Sequence, residues 1–301
     1  MPEVSAAQGS GETLGDAVRS AQRSLAAAGV EDAGRDARLL VAAAAGVDTA
    51  DIIARPERIL SADERLRLSS MVARRCAREP VSRILGVREF YGRPFALSPA
   101  TLDPRPDSET LIGAVLDIAT REAWRDRPMR ILDIGTGSGC LLLTLLAELQ
   151  LATGVGTDIS DAALQTAAQN AAALGLASRA DFMQADVLDG IEGPFDLVVS
   201  NPPYIPSGDI AGLSAEVRHY DPRAALDGGE DGLDFYRRII AALPRVRAGW
   251  VIFEVGAGQA DDVALLLEQA FVKTRKAQLS RLSRHADLGG HTRCVAFRLH
   301  R

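Results

Sequence analysis

The chain has 301 residues, of which 47% are hydrophobic, so a disordered protein is excluded and one large core with a smaller second one is allowed. The formal net charge of −6 argues against a protein that coats nucleic acid, because such domains carry a basic surplus. The cysteines, Cys76, Cys140 and Cys294, form no CxxC pattern, so the sequence predicts neither a disulfide framework nor a zinc site.

The amino-terminal sequence lacks the basic and apolar regions of a signal peptide. The most apolar run, from Cys140 to Leu149, contains Glu148 and is too short to cross a membrane. The four histidines show no metal-ligand spacing. We therefore expect a cytoplasmic protein with no metal site and no membrane association.

Residues 1–88 are predicted to form a helical domain, in which Ser61 and Glu64 make a capping box. Residues 89–111 form a proline-rich linker, either a hairpin or an extended segment, whose end at Ser108 is expected to cap a helix. Residues 112–301 form the third and largest part.

The first domain contains a basic stretch, with seven arginines and one acid between Arg65 and Arg88. Two interpretations are open. The stretch is either a footprint for RNA or an acidic partner, or a solvated helix face, and the second is the commoner case.

From Met129 onward, strands and helices alternate, which indicates a parallel sheet covered by helices on both faces. A short connection before the last strand predicts that this strand is antiparallel. The arrangement is typical of class I S-adenosylmethionine methyltransferases, an α/β fold with a seven-stranded, mostly parallel sheet. The predicted strands are 129–134, 153–158, 180–184, 195–200, 249–255, 271–280 and 293–299.

The rest of the chain is organised around the stretch from Phe195 to Tyr204. In this stretch a predicted buried strand is followed directly by Asn-Pro-Pro-Tyr. Leu197, Val198 and Val199 are typical of a central parallel strand, and the prolines can continue neither a ladder nor a helix. On its own, Pro-Pro is most often a loop breaker. At the end of a central strand, however, it lies where open α/β sheets bind ligands. We interpret Asn201, Pro202, Pro203 and Tyr204 as the catalytic residues of a methyltransferase.

A second motif, Asp-Ile-Gly-Thr-Gly-Ser-Gly, turns a strand into a helix through a glycine-rich loop with GxGxG spacing. This spacing differs from the GxGxxG of dinucleotide binders, which place a pyrophosphate at a helix amino end. S-adenosylmethionine has no phosphate. Asp158, 23 residues after Gly135, is expected to bind the ribose hydroxyls, and Asp186 with Val187 the adenine. The predicted cofactor-binding residues are Gly135, Thr136, Gly137, Ser138, Gly139, Asp158, Asp186, Val187 and Asn201.

Together these motifs resemble the peptide chain release factor N(5)-glutamine methyltransferases over nearly the whole chain. The more specific parts are the linker with Phe90-Tyr-Gly92 and Pro104-Arg-Pro-Asp-Ser-Glu109, and the segment Asp221 to Leu233; a terminal Asp-Leu-Gly-Gly-His-Thr-Arg also matches. The sequence departs from the family at Asp103, where an aliphatic residue is usual, and at Ser108, where threonine is usual.

The resemblance implies transfer of a methyl group to the glutamine of the Gly-Gly-Gln motif in class I release factors. The oxygens of the Asn201 side chain and the Pro202 main chain would accept the two N–H bonds of the target amide, Pro203 would remove a competing donor, and Tyr204 would stack on the amide plane. The partner is then a release factor, with no stable nucleic acid, and we expect a monomer.

Three alternatives stay open. Asn-Pro-Pro-Tyr is shared with N(6)-adenine DNA or RNA methyltransferases, although no large basic target-recognition region follows Tyr204. A family that methylates a ribosomal-protein glutamine is the nearest competitor. A non-catalytic module that binds through the arginine-rich stretch is the third.

Overall fold

A computed structural model of the chain describes residues 11–272, 279–287 and 289–299. The chain divides into two compact units, Met1–Leu85 and Gly86–Arg301. The boundaries after residues 88 and 111 stay predictions. No helix in the described ranges has the length and apolar character needed to cross a membrane.

The first unit is helical. Its helices are α1 (Leu14–Ala27), α2 (Ala33–Ala45), α3 (Thr49–Ala54), α4 (Ala62–Cys76) and α5 (Val81–Leu85). The capping box predicted at the start of α4 is present, with the Ser61 hydroxyl accepting from the Glu64 N–H. Leucine and alanine side chains at helical spacing, such as Leu14, Ala21 and Leu40, fill the core of this unit.

The arginine-rich stretch is held largely by polar groups of its own unit. Main-chain carbonyls accept hydrogen bonds from Arg65, Arg67 and Arg78. Arg75 forms a buried ion pair with Asp36 at 2.7 Å, and Arg74 pairs with Glu79. A guanidinium has five donors, so it can satisfy carbonyls at helix ends while its stem packs. This stretch therefore stabilises the helical unit, which neither sequence interpretation anticipated.

The second unit begins with a hairpin of β1 (Val87–Phe90) and β2 (Arg93–Ala96), followed by α6 (Glu109–Arg121). The expectation that Ser108 caps α6 through its side chain is wrong. Ser108 stands at the N-cap position but has helical backbone angles, and its hydroxyl makes no capping bond. Its side chain contacts Asn201 instead.

A seven-stranded sheet follows. Its strands are β3 (Met129–Ile134), β4 (Ala152–Asp158), β5 (Ala180–Gln184), β6 (Leu197–Ser200), β7 (Trp250–Glu254), β8 (Leu279–Ala286) and β9 (Thr292–Leu299). The helices between them are α7 (Cys140–Glu148), α8 (Asp161–Ala173), α9 (Ala215–Tyr220), α10 (Asp234–Val246) and α11 (Ala260–Val272).

The strand order is β5-β4-β3-β6-β7-β9-β8. The strands from β5 to β7 are parallel, and β9 is antiparallel to both of its neighbours, as predicted. The class I methyltransferase fold is therefore confirmed. The predicted strand 271–280 is misplaced, because α11 continues to Val272 and β8 begins at Leu279, while residues 273–278 lie outside the described ranges.

Side-chain alternation along the central strands builds a core on each face of the sheet. In β6, Leu197 and Val199 pack on one face with α6 and α7, and Val198 packs on the other with α10 and α11. Strand order reverses at β3 and β6, so their carboxyl ends open a crevice at the switch point. This crevice carries the candidate site.

Candidate active site

A cavity of about 450 Å³ lies at the carboxyl ends of β3, β4 and β6. The predicted residues that line it are Gly135, Thr136, Gly137, Ser138, Asp158, Asp186, Val187, Asn201, Pro202 and Pro203. The fold thus brings together ten of the predicted site residues from four separate loops. Gly139 and Tyr204 do not line this cavity.

The three glycines of the loop have different tasks. All have positive φ, at +71° for Gly135, +56° for Gly137 and +79° for Gly139. A Cβ at Gly135 or Gly137 would meet no atom within 4 Å, whereas one at Gly139 would lie 3.2 Å from the Ala167 Cβ. Gly135 and Gly137 therefore keep space open for a ligand, while Gly139 allows α7 to pack closely on α8.

Asp158 at the end of β4 holds the loop in place. Its Oδ2 accepts from the Gly137 N–H at 2.9 Å, and its Oδ1 accepts from the Ser160 N–H at 2.9 Å. Each carboxylate oxygen still has a lone pair for a ligand hydroxyl. The Asp158 carboxylate can thus orient the glycine loop and bind a ribose at the same time.

The side of the cavity lined by Asp186 contains two residues that sequence reasoning missed. Asp186 forms an ion pair with Arg238 at 2.6 Å, and the Arg238 guanidinium lies 5.3 Å from the centroid of the Phe235 ring. Both come from α10 and line the cavity. No sequence motif identifies Phe235 and Arg238, because a long connection separates α10 from the strands that carry the site.

Asn201 stands where two cavities meet. It lines the larger cavity and also a smaller one of about 310 Å³, which includes Leu102, Arg105, Tyr204 and Leu213. Its Nδ2 donates to the Ser108 hydroxyl at 3.2 Å. Within the described ranges no donor binds Asn201 Oδ1 or the Pro202 carbonyl, so both oxygens are available to a ligand.

The main chain around Tyr204 is held by Gln259 and by the segment 221–233. The Tyr204 carbonyl accepts from Gln259 Nε2 at 3.0 Å, and the Gly228 N–H donates to the Ile205 carbonyl at 2.8 Å. Burial raises the pKa of the Tyr204 phenol to about 12, and the Glu254 carboxylate adds to the effect. Tyr204 is therefore neutral at physiological pH and cannot serve as a base.

The linker is joined to the same segment by charge. Arg105 pairs with Asp221 at 2.6 Å, and the Asp103 N–H donates to Asp221 Oδ1 at 3.3 Å. Asp103, the departure from the family pattern, is 5% exposed and lies 3.7 Å from the Arg88 guanidinium. A carboxylate is tolerated there because a neighbouring arginine compensates its burial.

Two buried carboxyl groups underlie the site. Burial raises the pKa of Asp133 to about 7, although Thr136 donates a hydrogen bond to it at 2.7 Å. Burial also raises the pKa of Glu254 to about 7, although hydrogen bonds from Ser108 and Asn201 oppose the rise. The described ranges contain no group of three or more histidine, cysteine, aspartate or glutamate residues that could hold a metal ion.

Residues 16–86 match the PrmC N-terminal domain family, and residues 114–215 match the methyltransferase small domain family. A release factor glutamine methyltransferase of Bradyrhizobium diazoefficiens is 48% identical over 290 residues, covering 94% of this chain and 95% of the relative. The chain belongs to the release factor glutamine methyltransferase family. The resemblance seen in the sequence is thereby confirmed.

Another member of the release factor glutamine methyltransferase family, from Agrobacterium fabrum, is 44% identical and covers 96% of this chain and 99% of its own length. The fold is also that of the human METTL16 catalytic domain, solved in complex with a MAT2A 3′UTR hairpin, with a TM-score of 0.56 and 19% identity over 73% of this chain and 82% of that one. The METTL16 N-terminal domain in complex with SAH gives a TM-score of 0.50, with 19% identity over 69% of this chain and 76% of that one.

Enzymes of this class use S-adenosylmethionine as cofactor, and the larger cavity fits it. The cavity has open space above Gly135 and Gly137 and acceptor oxygens at Asp158 and Asp186. The assignment of these residues to the ribose, the adenine and the methyl-transfer end stays a prediction.

Replacing Asp158 with alanine should weaken binding of S-adenosylmethionine by about 1–3 kcal/mol, the cost of a lost hydrogen bond to a charged group. The variant loses the acceptor for the ribose and also the acceptor for the Gly137 N–H. Isothermal titration calorimetry measures the change. Asp161→Ala is the matched control, because that exposed carboxylate on α8 lies outside the cavity and accepts a hydrogen bond from Gln165. Equal affinity in wild type and Asp158→Ala would contradict the assignment.

Proposed function

We propose that this chain methylates the side-chain nitrogen of the glutamine in the Gly-Gly-Gln motif of class I peptide chain release factors. The observation that carries the proposal is the position of Asn201 at the junction of two cavities. The larger cavity suits the cofactor, and the smaller suits an extended peptide that delivers a side chain to Asn201. Family membership supplies the substrate class.

The residues of the chain act by positioning. An amide nitrogen is a poor nucleophile, since its lone pair is delocalised into the carbonyl. The Asn201 Oδ1 and the Pro202 carbonyl accept the two N–H bonds of the target amide and so direct the lone pair along one line. Pro203 has no N–H to compete for these acceptors, and the Tyr204 ring packs beside the planar amide.

When bound, S-adenosylmethionine supplies an electrophilic methyl group, so that an N–CH₃ bond forms as the S–CH₃ bond breaks, sulfur keeps the electron pair and one N–H proton leaves. The protonated product amide is a strong acid, so a base of ordinary pKa is not required. Prolines and apolar side chains line the cavity and limit water near the nitrogen. Alignment of this kind contributes on the order of several kcal/mol, and up to roughly 7–11 kcal/mol in well-oriented systems.

The test is mass spectrometry of a purified release factor after incubation with the enzyme and S-adenosylmethionine. A single added methyl group on the Gly-Gly-Gln glutamine is expected, and none on a release factor in which that glutamine is alanine. Duplex DNA, RNA and ribosomal protein are incubated in parallel. Methylation of one of these in place of the release factor would overturn the proposal in favour of the corresponding alternative.

We also propose that the helical unit contacts the release factor and that the second unit alone holds the cofactor. Every residue lining the larger cavity lies after Leu85, and both core clusters of the sheet begin after it. The enzyme is proposed to be a cytoplasmic monomer that binds no stable nucleic acid and no membrane, in keeping with the net charge of −6 and the absence of a cysteine framework.

A truncated chain that begins at Val87 should bind S-adenosylmethionine within about twofold of the full chain, because distant sites are nearly additive. Its kcat/KM on a whole release factor should fall at least about tenfold, which corresponds to a loss of about 1.4 kcal/mol of binding. A short Gly-Gly-Gln peptide is the control, since both chains should act on it equally. Equal rates on the whole release factor would remove the substrate role of the helical unit.

A further inference from the structure

A buried glutamate lies directly behind the catalytic asparagine. In the sheet register, Ser200 of β6 pairs with Phe253 of β7, so Asn201 and Glu254 follow side by side at the end of the ladder. Glu254 is 2% exposed and lines neither cavity. Any effect of Glu254 on the reaction is therefore exerted through Asn201 and its neighbours.

Glu254 has two polar neighbours that also touch each other. The side chains of Ser108 and Asn201 are the polar neighbours that lower its pKa against the rise caused by burial, while its Oε2 has no hydrogen-bond partner in the described part of the chain. Asn201 in turn donates to the hydroxyl of Ser108, which is 2% exposed. Burying a carboxyl group without a full set of hydrogen-bond partners costs folding free energy. A role of Glu254 in the site accounts for a carboxyl group at this position.

We propose that Glu254 is a positioning residue for methyl transfer, and that with Ser108 it holds the Asn201 carboxamide with its NH₂ turned inward and its Oδ1 turned toward the target amide. This inference rests on the proposed function, in which Asn201 accepts an N–H from the substrate glutamine.

The hydrogen-bonding chemistry of Glu254, Ser108 and Asn201 determines which end of the Asn201 carboxamide faces the substrate. The two ends of a carboxamide have almost the same shape, so packing alone does not distinguish the orientation in which Oδ1 faces the substrate from its opposite. A hydroxyl can both donate and accept a hydrogen bond, so Ser108 alone does not determine which end of the Asn201 carboxamide faces it. An ionised carboxylate only accepts, so Ser108 donates to Glu254, offers its lone pair to Asn201 Nδ2, and leaves Oδ1 facing the substrate.

The groups around Glu254 leave it as the one that titrates near neutral pH. Asp107 raises its pKa and Arg293 lowers it, and these two form an ion pair with each other at 3.0 Å. Tyr204 on the loop after β6, Tyr236 on α10, Cys140 on α7 and Cys294 on β9 all have pKa values raised by burial. These four stay neutral while Glu254, with a pKa of about 7, loses its proton.

Glu254→Gln and Ser108→Ala are the variants that test this cluster. Each should lower kcat at pH 8 at least about tenfold, because a charge-assisted hydrogen bond no longer fixes the orientation of the Asn201 amide. The affinity for S-adenosylmethionine should stay close to that of the wild type, and KM for the release factor should change far less than kcat. The double variant should lose no more than the worse single variant, since both act through one relay.

The pH dependence separates positioning from stability. In the wild type, kcat should rise with pH through about 7 as Glu254 ionises, and Glu254→Gln should lack this rise. Stability has the opposite sign. The native pKa lies above the ordinary value of 4.5, so the native state binds the proton more tightly and the wild type loses stability from about pH 4.5 to 7. At pH 8, Glu254→Gln should therefore unfold at a temperature no lower than the wild type.

A readout without substrate keeps this inference separate from the proposed function. The side-chain amide NMR signals of Asn201, assigned by their loss in Asn201→Ala, should shift with a midpoint near pH 7 in the wild type and not in Glu254→Gln. Asp133→Asn is the control, because it removes the other buried carboxyl with a pKa of about 7 and should keep the Asn201 shift.

The outcomes are distinct. If the wild type leaves the release factor unmethylated while the NMR shift is present, the proposed function fails and the orientation of Asn201 by Glu254 stands. If the release factor is methylated and Glu254→Gln retains the wild-type kcat and pH profile, the role of Glu254 is overturned. Absence of the NMR shift in the wild type would overturn it as well.

Discussion

Asn201→Ala should lower turnover on a release factor at least ~100-fold, the scale of losing one positioned hydrogen-bonding group in a reacting site. The variant loses Oδ1, which is one of the two acceptors for the target amide. It removes only a partly buried side chain that, among the described residues, donates a hydrogen bond to Ser108, so the fold and the affinity for S-adenosylmethionine should be nearly unchanged. Initial rates by mass spectrometry, with calorimetry for the cofactor, check both statements.

Asn201→Asp should fail for a second reason. It retains an acceptor but introduces a carboxylate beside Glu254. Two neighbouring carboxylates repel each other, and this raises the pKa of one of them. A charge near the sulfonium also holds the cationic cofactor more tightly than its neutral product, so the ratio of S-adenosylmethionine to S-adenosylhomocysteine affinity should increase. Gln165→Ala, which removes an exposed carboxamide from α8, is the matched control. Turnover within a few-fold of wild type in either Asn201 variant would contradict the role assigned to it.

Gly232→Ala should lower turnover by about 100-fold, because a displacement of about 1 Å in a reacting group can cost that much. Gly232 has φ of +76°, and a Cβ there would lie 2.3 Å from the Tyr204 carbonyl oxygen and 2.6 Å from Gln259 Nε2. The main chain of Tyr204 must therefore move, and with it the acceptor oxygens before it. A left-handed conformation in a residue with a side chain adds about 1–2 kcal/mol of destabilisation.

Gly208→Ala is the control for this substitution, because it lies in the loop that follows Tyr204, has no positive φ and would place its Cβ in open space. It should behave as the wild type in both assays. Turnover is measured on the release factor and stability by thermal unfolding. A Gly232→Ala enzyme with wild-type turnover would show that the segment 228–233 does not position the catalytic loop.

Several features of the site follow from local sequence. The run Leu197-Val-Val ends abruptly at Ser200 and Asn-Pro-Pro-Tyr, which places a rigid turn at the carboxyl end of a buried strand. The spacing of the glycine loop and Asp158 likewise identifies two neighbouring strand ends, and the structure joins them through the bond from the Gly137 N–H. These features depend on periodicity and on residues with special backbone preferences, which act over a few positions.

Other features were misjudged because the deciding contact lies far along the chain. Ser108 looks like a helix cap, yet its hydroxyl contacts Asn201, 93 residues away in sequence. The arginine-rich stretch looks like a surface charge run, but its members bind carbonyls and carboxylates of its own unit.

The sequence by itself determined the fold class, the strand ends that carry ligands and the family. The periodicity of strands and helices is a local property, and so are the positions of glycine and proline. Both can be recognised in the sequence without knowing what packs against these residues. Only the tertiary structure decided which way Asn201 faces, because Glu254 and Ser108 reach it from β7 and from the linker. The burial of Glu254, which sets its pKa, is a property of the packed sheet and its helices, and no local pattern around Phe253-Glu254-Val255 reveals it.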